Sequence, residues 1–235
     1  MTAVLIVNAD DFGRCAEITD GIIRGHVEGV VTSTSAMVRH AAAEHALREA
    51  AEHPRLGVGL HLDLGEWAYR AGEWVAVDEV VDLEDEAAVE REARAQLERF
   101  RTLAGREPTH LDSHQHVHRE GTVRRIATDL ATELGVPLRQ QTEGIRYCGA
   151  FYGRTGDGRP LPEAITVAAL VRLIEGLPDG VTELACHPGE PGVVDAGYDR
   201  ERAEELRSLC DERVIAALRR NHVSLASFAT LPTAR

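Results

Sequence analysis

The chain is poor in cysteine and has no long apolar run, and each shortage argues against a class of protein. Its four cysteines, Cys15, Cys148, Cys186 and Cys210, are far apart and show no CxxC spacing, so neither a disulfide scaffold nor a structural zinc knuckle is expected. No apolar stretch approaches the ~20 residues that a transmembrane helix needs. Residues 2–7 follow no basic stretch and no cleavage site, which predicts a strand and not a signal peptide. We therefore expect a cytoplasmic protein with reduced thiols.

Basic residues are also scarce, at 26 Lys and Arg against 39 Asp and Glu, for a formal net charge of −13. A surface of this sign repels nucleic acid and anionic membranes, so neither is an expected partner. At 43% hydrophobic residues, a chain of 235 residues can bury a substantial core. The length allows one large α/β domain, and we predict a single domain over residues 1–235.

Short apolar runs alternate with helical patterns along the chain, which is typical of βα units around a parallel sheet. No GxGxxG follows the first run, and polar residues end several strands, as active-site residues do in (β/α) barrels. We predict an α/β fold: a distorted (β/α) barrel of about seven parallel strands, with an open doubly wound parallel sheet as the alternative. The predicted strands cover residues 4–7, 32–38, 56–62, 109–112, 137–139, 183–186 and 223–228.

Two further segments carry predictions of their own. Residues 65–82 show no clear period and are predicted to be a long loop over one end of the fold. Residues 200–220 are predicted to form one helix, on which Glu204 and Glu205 lie on a solvated face. The glycines of the third strand predict a close approach to its backbone.

The segment from Thr109 to His118 holds four of the 11 histidines and one aspartate. In a strand, these side chains would share one face because strand side chains alternate. If the chain turns helical, His114 and His118 lie four residues apart on one side. In both cases imidazoles converge, which suits a metal site or proton transfer. The alternative is a solvated loop that binds nothing.

Polar side chains stand where several predicted strands end, and parallel strands would place them on one face of the molecule. Two imidazoles and one carboxylate leave coordination positions open for water, as in a catalytic metal site. A further carboxylate can serve as general base, and a separate histidine can protonate a leaving group. Taken singly, Asp10 and Asp11 are ordinary turn residues and His61 an ordinary hydrogen-bonded histidine. The strand-end residues are Asp10, Asp11, His61, Asp112, His114 and His187.

Five motifs together resemble the YdjC-like carbohydrate deacetylases, a family that includes chitooligosaccharide deacetylases. The resemblance implies a distorted β/α barrel that removes N-acetyl groups from amino sugars with the help of a metal. It implies Asp11, His61 and His114 as metal ligands, with Asp10 as the base. His187 would be the acid, kept protonated, by analogy with NodB-type polysaccharide deacetylases. The motifs are residues 8–13 (NADDFG), 29–34 (GVVTST), 59–62 (GLHL), 108–118 (PTHLDSHQHVH) and 186–188 (CHP).

Several residues are candidates for contact with the sugar. Arg139 is predicted either to hold a substrate oxygen or to form a surface ion pair. His118 is predicted either to line the sugar site or to be a fourth metal ligand. The aromatic residues of segment 65–82 either stack on a sugar or pack the loop onto the barrel. The substrate-contact candidates are Trp67, His116, His118 and Arg139.

The predicted function is therefore metal-dependent hydrolysis of the N-acetyl group of an acetylated amino sugar or short chitooligosaccharide. One divalent ion per chain is expected, zinc or magnesium; two nitrogens and one oxygen suit zinc better. A metal-dependent phosphoesterase and a non-catalytic, metal-containing sugar-binding protein are the rivals. The family likeness also suggests a homodimer.

Overall fold

A parallel sheet that curls into a half-barrel organises the molecule. The computed structural model describes residues 2–70, 72–192 and 197–231, and over these ranges the sheet has seven strands. The strands are β1 (Ala3–Phe12), β2 (Ser33–Ala36), β3 (Gly57–Leu62), β6 (Leu111–Ser113), β7 (Ile145–Cys148), β8 (Gly180–Cys186) and β9 (Ser224–Leu225). Their order is β6-β3-β2-β1-β8-β7, with β9 also paired to β1. The distorted-barrel prediction is confirmed.

Strand β1 lies at the centre of the sheet, where it pairs in parallel with β2, β8 and β9. Ile6 and Val7 are fully buried, which explains the unbroken apolar run at the start of the chain. Gly59 in β3 lies against the imidazole of His110, whose ring a Cβ would overlap. The predicted close approach to this strand is thus made by a side chain of the protein itself.

Helices join successive strands and cover the sheet. Asp85 caps the longest helix by accepting a hydrogen bond from the backbone N–H of Ala88. Left-handed glycines end two helices, with φ of 64° at Gly105 and 66° at Gly135. The helices are α1 (Ala16–Val27), α2 (Ala43–Ala51), α3 (Glu86–Ala104), α4 (Gly121–Leu134), α5 (Val167–Glu175), α6 (Asp199–Leu209) and α7 (Glu212–Arg220).

The predicted loop over residues 65–82 is wrong, because the segment forms an antiparallel hairpin of β4 (Gly65–Arg70) and β5 (Glu73–Glu79). Most side chains of β5 are exposed, so the segment has no buried apolar face to produce a periodic pattern. We refer to residues 65–79 as the aromatic hairpin, since it carries both tryptophans of the chain.

The C-terminal third differs in detail from the prediction. The single helix over 200–220 breaks into α6 and α7, where Asp211 accepts a hydrogen bond from the backbone N–H of Arg213. Residues 137–139 form an isolated parallel bridge through Leu138 rather than a strand. The last predicted strand is reduced to β9, while β7 was not predicted. None of the helices in the described part of the chain is both long and apolar enough to cross a membrane.

Candidate active site

A cavity of about 660 Å³ opens at the carboxyl edge of the sheet. The carboxyl ends of parallel strands meet at one edge, which is where binding sites of such folds form. The cavity is lined by residues that are far apart in the sequence and that lie at or just after the carboxyl ends of β1, β3, β6 and β8. Among them are all five residues implied by the family likeness: Asp10, Asp11, His61, His114 and His187.

Three of these residues converge on one point. Asp11 Oδ1 lies 3.6 Å from His61 Nε2 and 3.4 Å from His114 Nδ1. One ligand atom from each residue falls within 4.8 Å of the others. Asp11 Oδ1 is buried and has no hydrogen-bond partner among the described residues. A buried carboxylate oxygen that lacks a hydrogen-bond partner and faces two imidazole nitrogens is a suitable set of ligands for a divalent cation.

The ring of His61 is oriented by Asp112, which neighbours it in register on β6. Asp112 Oδ1 lies 2.7 Å from His61 Nδ1, so this nitrogen is assigned the proton and Nε2 is left free to coordinate. Burial alone would lower the pKa of His61, but Asp112 and the Asp10 and Asp11 carboxylates raise it to about 9. The same negative potential that raises this pKa favours a cation.

Adjacent carboxylates reach the same cavity because β1 is irregular at its end. Side chains of consecutive strand residues normally point to opposite faces. The register between β1 and β2 shifts between Ala9 and Phe12, and Asp11 has a left-handed φ of 69°. Such a conformation is costly for a residue other than glycine, and it is found mostly where function requires it. The distortion lets both Asp10 and Asp11 line the cavity.

Asp10 is held by the guanidinium of Arg139. Arg139 donates to both oxygens of Asp10 at 2.6 and 2.7 Å, and Asn8 donates to Oδ1 at 2.9 Å. Burial raises the pKa of Asp10, but Arg139 outweighs this effect and the net shift is downward. Asp10 is thus ionised at neutral pH and fixed in orientation.

The structure does not bring Arg139 to the cavity wall. Arg139 is 1% exposed and also contacts Asp112 at 2.9 Å and Glu183 at 2.6 Å. The expected surface ion pair is wrong, since the pairs are buried, and no contact with a substrate oxygen follows from this position. Arg139 instead balances three buried carboxylates behind the site.

The three histidines after β6 separate instead of sharing one face. A 3₁₀ segment over His114–Arg119 has left-handed φ values at Gln115 and His116. His116 lines the cavity, and its Nε2 lies 3.0 Å from the hydroxyl of Tyr147. His118 is fully buried, with Nδ1 2.7 Å from the Ser113 hydroxyl and Nε2 3.1 Å from the carbonyl of Arg139. With both ring nitrogens engaged, His118 lies behind the site and not at the metal set.

His187 stands beside Asp10, with Nε2 3.8 Å from Asp10 Oδ2. Burial is the main cause that lowers the pKa of His187, to about 4. A pKa this low favours a neutral ring at neutral pH, whereas the family likeness implies a protonated acid, and the role of His187 as the acid stays a prediction.

Glu205 on α6 fixes the backbone of His187. Glu205 is fully buried, accepts a hydrogen bond from the His187 N–H, and accepts another from the Tyr198 hydroxyl at 2.6 Å. The Tyr198 hydroxyl in turn accepts the N–H of Gly153, also at 2.6 Å. The sequence-based assignment of Glu205 to a solvated face is wrong, because Glu205 lies on the buried face of α6 together with Leu206 and Leu209.

Arg202, one turn earlier on α6, donates to Asp11 Oδ2 at 2.5 Å. It leaves Asp11 Oδ1 as the oxygen directed at His61 and His114. Burial raises the pKa of Asp11, but Arg202 is the largest opposing cause and the net pKa is well below its usual range. Neither Arg202 nor Glu205 follows a predicted strand, so strand-end reasoning could not find them.

The aromatic hairpin forms one side of the cavity. Trp67, Tyr69 and Trp74 all line it, on the side where Gln115 and His116 also lie. The predicted position of Trp67 at the sugar site is compatible with this wall, although its contact with a sugar stays a prediction.

A family model and individual relatives both match this chain over most of its length. The family model described as YdjC-like protein matches residues 4–220. A carbohydrate deacetylase of Brevibacillus brevis is 35% identical, over 97% of this chain and 99% of that protein. A chitooligosaccharide deacetylase of Serratia marcescens is 31% identical, over 98% and 100%.

Solved structures agree with the fold. A protein of Enterococcus faecalis V583, described as a candidate cellobiose-phosphate cleavage protein, matches with a TM-score of 0.80 at 27% identity, over 97% of this chain and 98% of that chain. A family 4 carbohydrate esterase of Streptomyces lividans matches with a TM-score of 0.58 at 11% identity, over 95% and 91%, which supports the barrel architecture alone. Because the family model spans most of the chain and relatives above 30% identity cover nearly all of it, this chain belongs to the YdjC-like protein family.

Proposed function

We propose that this protein is a metal-dependent carbohydrate deacetylase that hydrolyses the N-acetyl group of an amino sugar or short chitooligosaccharide. The observation that carries the proposal is that ligand atoms of Asp11, His61 and His114 converge in one cavity, beside the carboxylate of Asp10 and the ring of His187. The names of the curated relatives support the same chemistry.

Asp11, His61 and His114 would hold the cation, and two nitrogens with one oxygen favour zinc over magnesium, which prefers oxygen ligands. A divalent ion bound there supplies Lewis acidity, polarising the acetyl carbonyl and lowering the pKa of water. Asp112 holds His61 in the tautomer that coordinates, and Arg202 keeps one oxygen of Asp11 occupied.

In this proposal Asp10 acts as the base. It is ionised, it lines the cavity, and Arg139 prevents it from rotating away. In the proposed reaction Asp10 accepts a proton from the attacking water, whose oxygen forms the new bond to the acetyl carbon. The C–N bond then breaks, and the nitrogen takes a proton to leave as a free amine, while acetate is the second product.

In this proposal His187 delivers that proton. Because it is neutral beforehand, it must gain its proton during turnover, and Asp10 Oδ2 at 3.8 Å from Nε2 is the nearest source. Glu205 holds the His187 backbone so that the ring faces the cavity. We infer that proton transfer within this pair, rather than a resident imidazolium, serves the leaving amine.

The direct test is an acetate assay on N-acetylglucosamine and its oligomers of two to four units, with the zinc-loaded protein. Acetate release that is lost on chelation and restored by zinc supports the proposal. A phosphorylated disaccharide is assayed in parallel, because the Enterococcus faecalis neighbour is described by such a substrate. Phosphate release without acetate would support the phosphoesterase, and sugar binding with neither product would support the non-catalytic rival.

Other predictions need separate measurements. Sedimentation would test the predicted homodimer, and limited proteolysis would test the single domain over residues 1–235. Both stay predictions, as does the cytoplasmic location.

A further inference from the structure

The aromatic hairpin presents ring surface at the mouth of the cavity. Tyr69 is 40% exposed and Trp74 is 56% exposed, and both line the cavity that contains the candidate metal ligands. Aromatic residues make up only 4% of the chain, so this concentration on one short hairpin stands out from the composition. Exposed aromatic faces beside a polar site are suited to ligands that have both an apolar face and hydroxyl groups.

The hairpin is fastened to the loops that carry the ligands. The side-chain amide of Gln115 accepts from the backbone N–H of Trp67 at 2.9 Å and donates to its carbonyl at 2.8 Å. Arg14 pairs with Glu66 at 2.9 Å. Gln115 directly follows His114, and Arg14 lies three residues after Asp11. The aromatic wall therefore has a defined position relative to the reaction centre.

Aromatic side chains occur at two levels along this wall. Trp67 is half-buried at the inner level, where Gln115 contacts its backbone. Tyr69 lies two residues further out, roughly 7 Å along the strand. It is paired in register with Trp74, and the two rings meet edge to face with centroids 5.5 Å apart. One sugar ring with its linkage is comparable in length to this separation.

We propose that Tyr69 and Trp74 form a stacking subsite for a second sugar unit, next to the unit that is deacetylated at the metal set. The inference rests on the proposed deacetylase function and adds a determinant of chain length to it. A pyranose ring presents axial C–H groups on one face, and these pack on an aromatic ring while the hydroxyl groups stay solvated. The protein would then prefer oligomers of two or more units to the free monosaccharide.

Intrinsic fluorescence gives a direct test, because the only two tryptophans of the chain are Trp67 and Trp74. The Trp74→Phe variant keeps Trp67 as its single tryptophan and therefore reports on the inner level. The Trp67→Phe variant keeps Trp74 and reports on the outer level. Each variant is titrated with N-acetylglucosamine and with its dimer after zinc loading, in the Asp10→Asn background to prevent turnover. We expect both sugars to change the emission of Trp67, and only the dimer to change that of Trp74. An equal response of Trp74 to both sugars, or to neither, would overturn the proposal.

Kinetics provides the second arm. In Tyr69→Ala/Trp74→Ala, the ratio of kcat/KM for dimer to that for monomer should fall about tenfold, the equivalent of ~1.4 kcal/mol of binding. Val77→Ala is the matched control, since Val77 is 52% exposed on the same hairpin and is not part of the cavity lining; it should keep the wild-type ratio. An unchanged ratio in the double variant refutes the subsite. Absence of acetate release from every sugar in the wild type would instead refute the proposed function.

Discussion

Replacing Arg139 with methionine removes the cation that contacts Asp10, Asp112 and Glu183 together. The apolar side chain of methionine is of similar length, so the change removes charge more than volume. Arg139 and its three partners are almost completely inaccessible to solvent. The variant would therefore leave buried carboxylates without their counter-charge.

We expect Arg139→Met to lower the free energy of unfolding by a large amount. Breaking a buried ion pair by removing one partner costs about 3–5 kcal/mol, against a total stability of about 5–15 kcal/mol for a typical domain. Since Arg139 serves three carboxylates, we expect a loss at the upper end of that range. Arg159→Met is the matched control: Arg159 pairs with Asp157 at 2.8 Å, but its side chain is 77% exposed, and such pairs contribute about 0–1 kcal/mol.

Urea unfolding at several pH values measures how much stability the Arg139→Met variant loses and whether unpaired buried carboxylates cause the loss. Without Arg139, burial would raise the pKa of Asp10 in the folded variant above its unfolded value. A carboxyl group whose pKa is higher in the folded than in the unfolded state lowers the free energy of unfolding at high pH. This destabilisation disappears as the pH falls and the group takes up a proton. The deficit of the variant relative to wild type should therefore shrink between pH 7 and pH 4.

Glu183→Gln provides a further check, because it neutralises one of the three carboxylates. In the Arg139→Met background it should recover part of the lost stability, whereas in wild type it removes a partner of Arg139. A loss below 1 kcal/mol for Arg139→Met, or a deficit independent of pH, would refute the charge-balancing role.

Three other substitutions test the site. Asp10→Asn should lower kcat by roughly 10²–10⁴-fold while zinc affinity stays within twofold, measured by competition with a chelating dye; a comparable loss of zinc would refute its role as base. Glu205→Gln offers one acceptor oxygen where two donors need one each, so kcat should fall about tenfold with KM little changed. Glu204→Gln is the control and should behave as wild type, because Glu204 pairs with the exposed Arg207 and not with His187 or Tyr198. Gln115→Ala should release the aromatic hairpin and raise KM for oligomers about tenfold, and an unchanged KM would show that the two hydrogen bonds do not position the wall.

Strand-end reasoning found the residues that converge on the cavity, because parallel topology brings the carboxyl ends of the strands to one edge. These residues are separated by up to 177 positions in the sequence but lie at or just after strand ends that share one edge: Asp10, Asp11, His61, His114 and His187. The irregular end of β1, which lets Asp10 and Asp11 both line the cavity, could not be predicted in this way. Alternation of apolar runs and helices is imposed by burial, so it was sufficient to predict βα units around a parallel sheet. The missing GxGxxG and the polar residues at several strand ends favoured the barrel over an open doubly wound sheet.

The contacts that tune these residues could not be predicted in the same way. Arg139 is balanced by carboxylates from three different strands, and nothing in Pro137–Arg139 indicates that the side chain turns inward. Glu205 depends on where α6 ends and on how the helix packs. One sequence feature favoured a hairpin over residues 65–79: aromatic residues at positions 67 and 69, followed by a glycine at 72. The alternation of apolar and polar residues that usually identifies strands is missing, because most side chains of β5 are exposed.

The most direct measurement is a crystal structure of the zinc-loaded protein, with anomalous scattering recorded at the zinc edge. The account predicts one zinc per chain, coordinated by Asp11, His61 and His114, with His61 bound through Nε2. Zinc absent from this set in a folded, zinc-saturated protein, or bound by other residues, would contradict it.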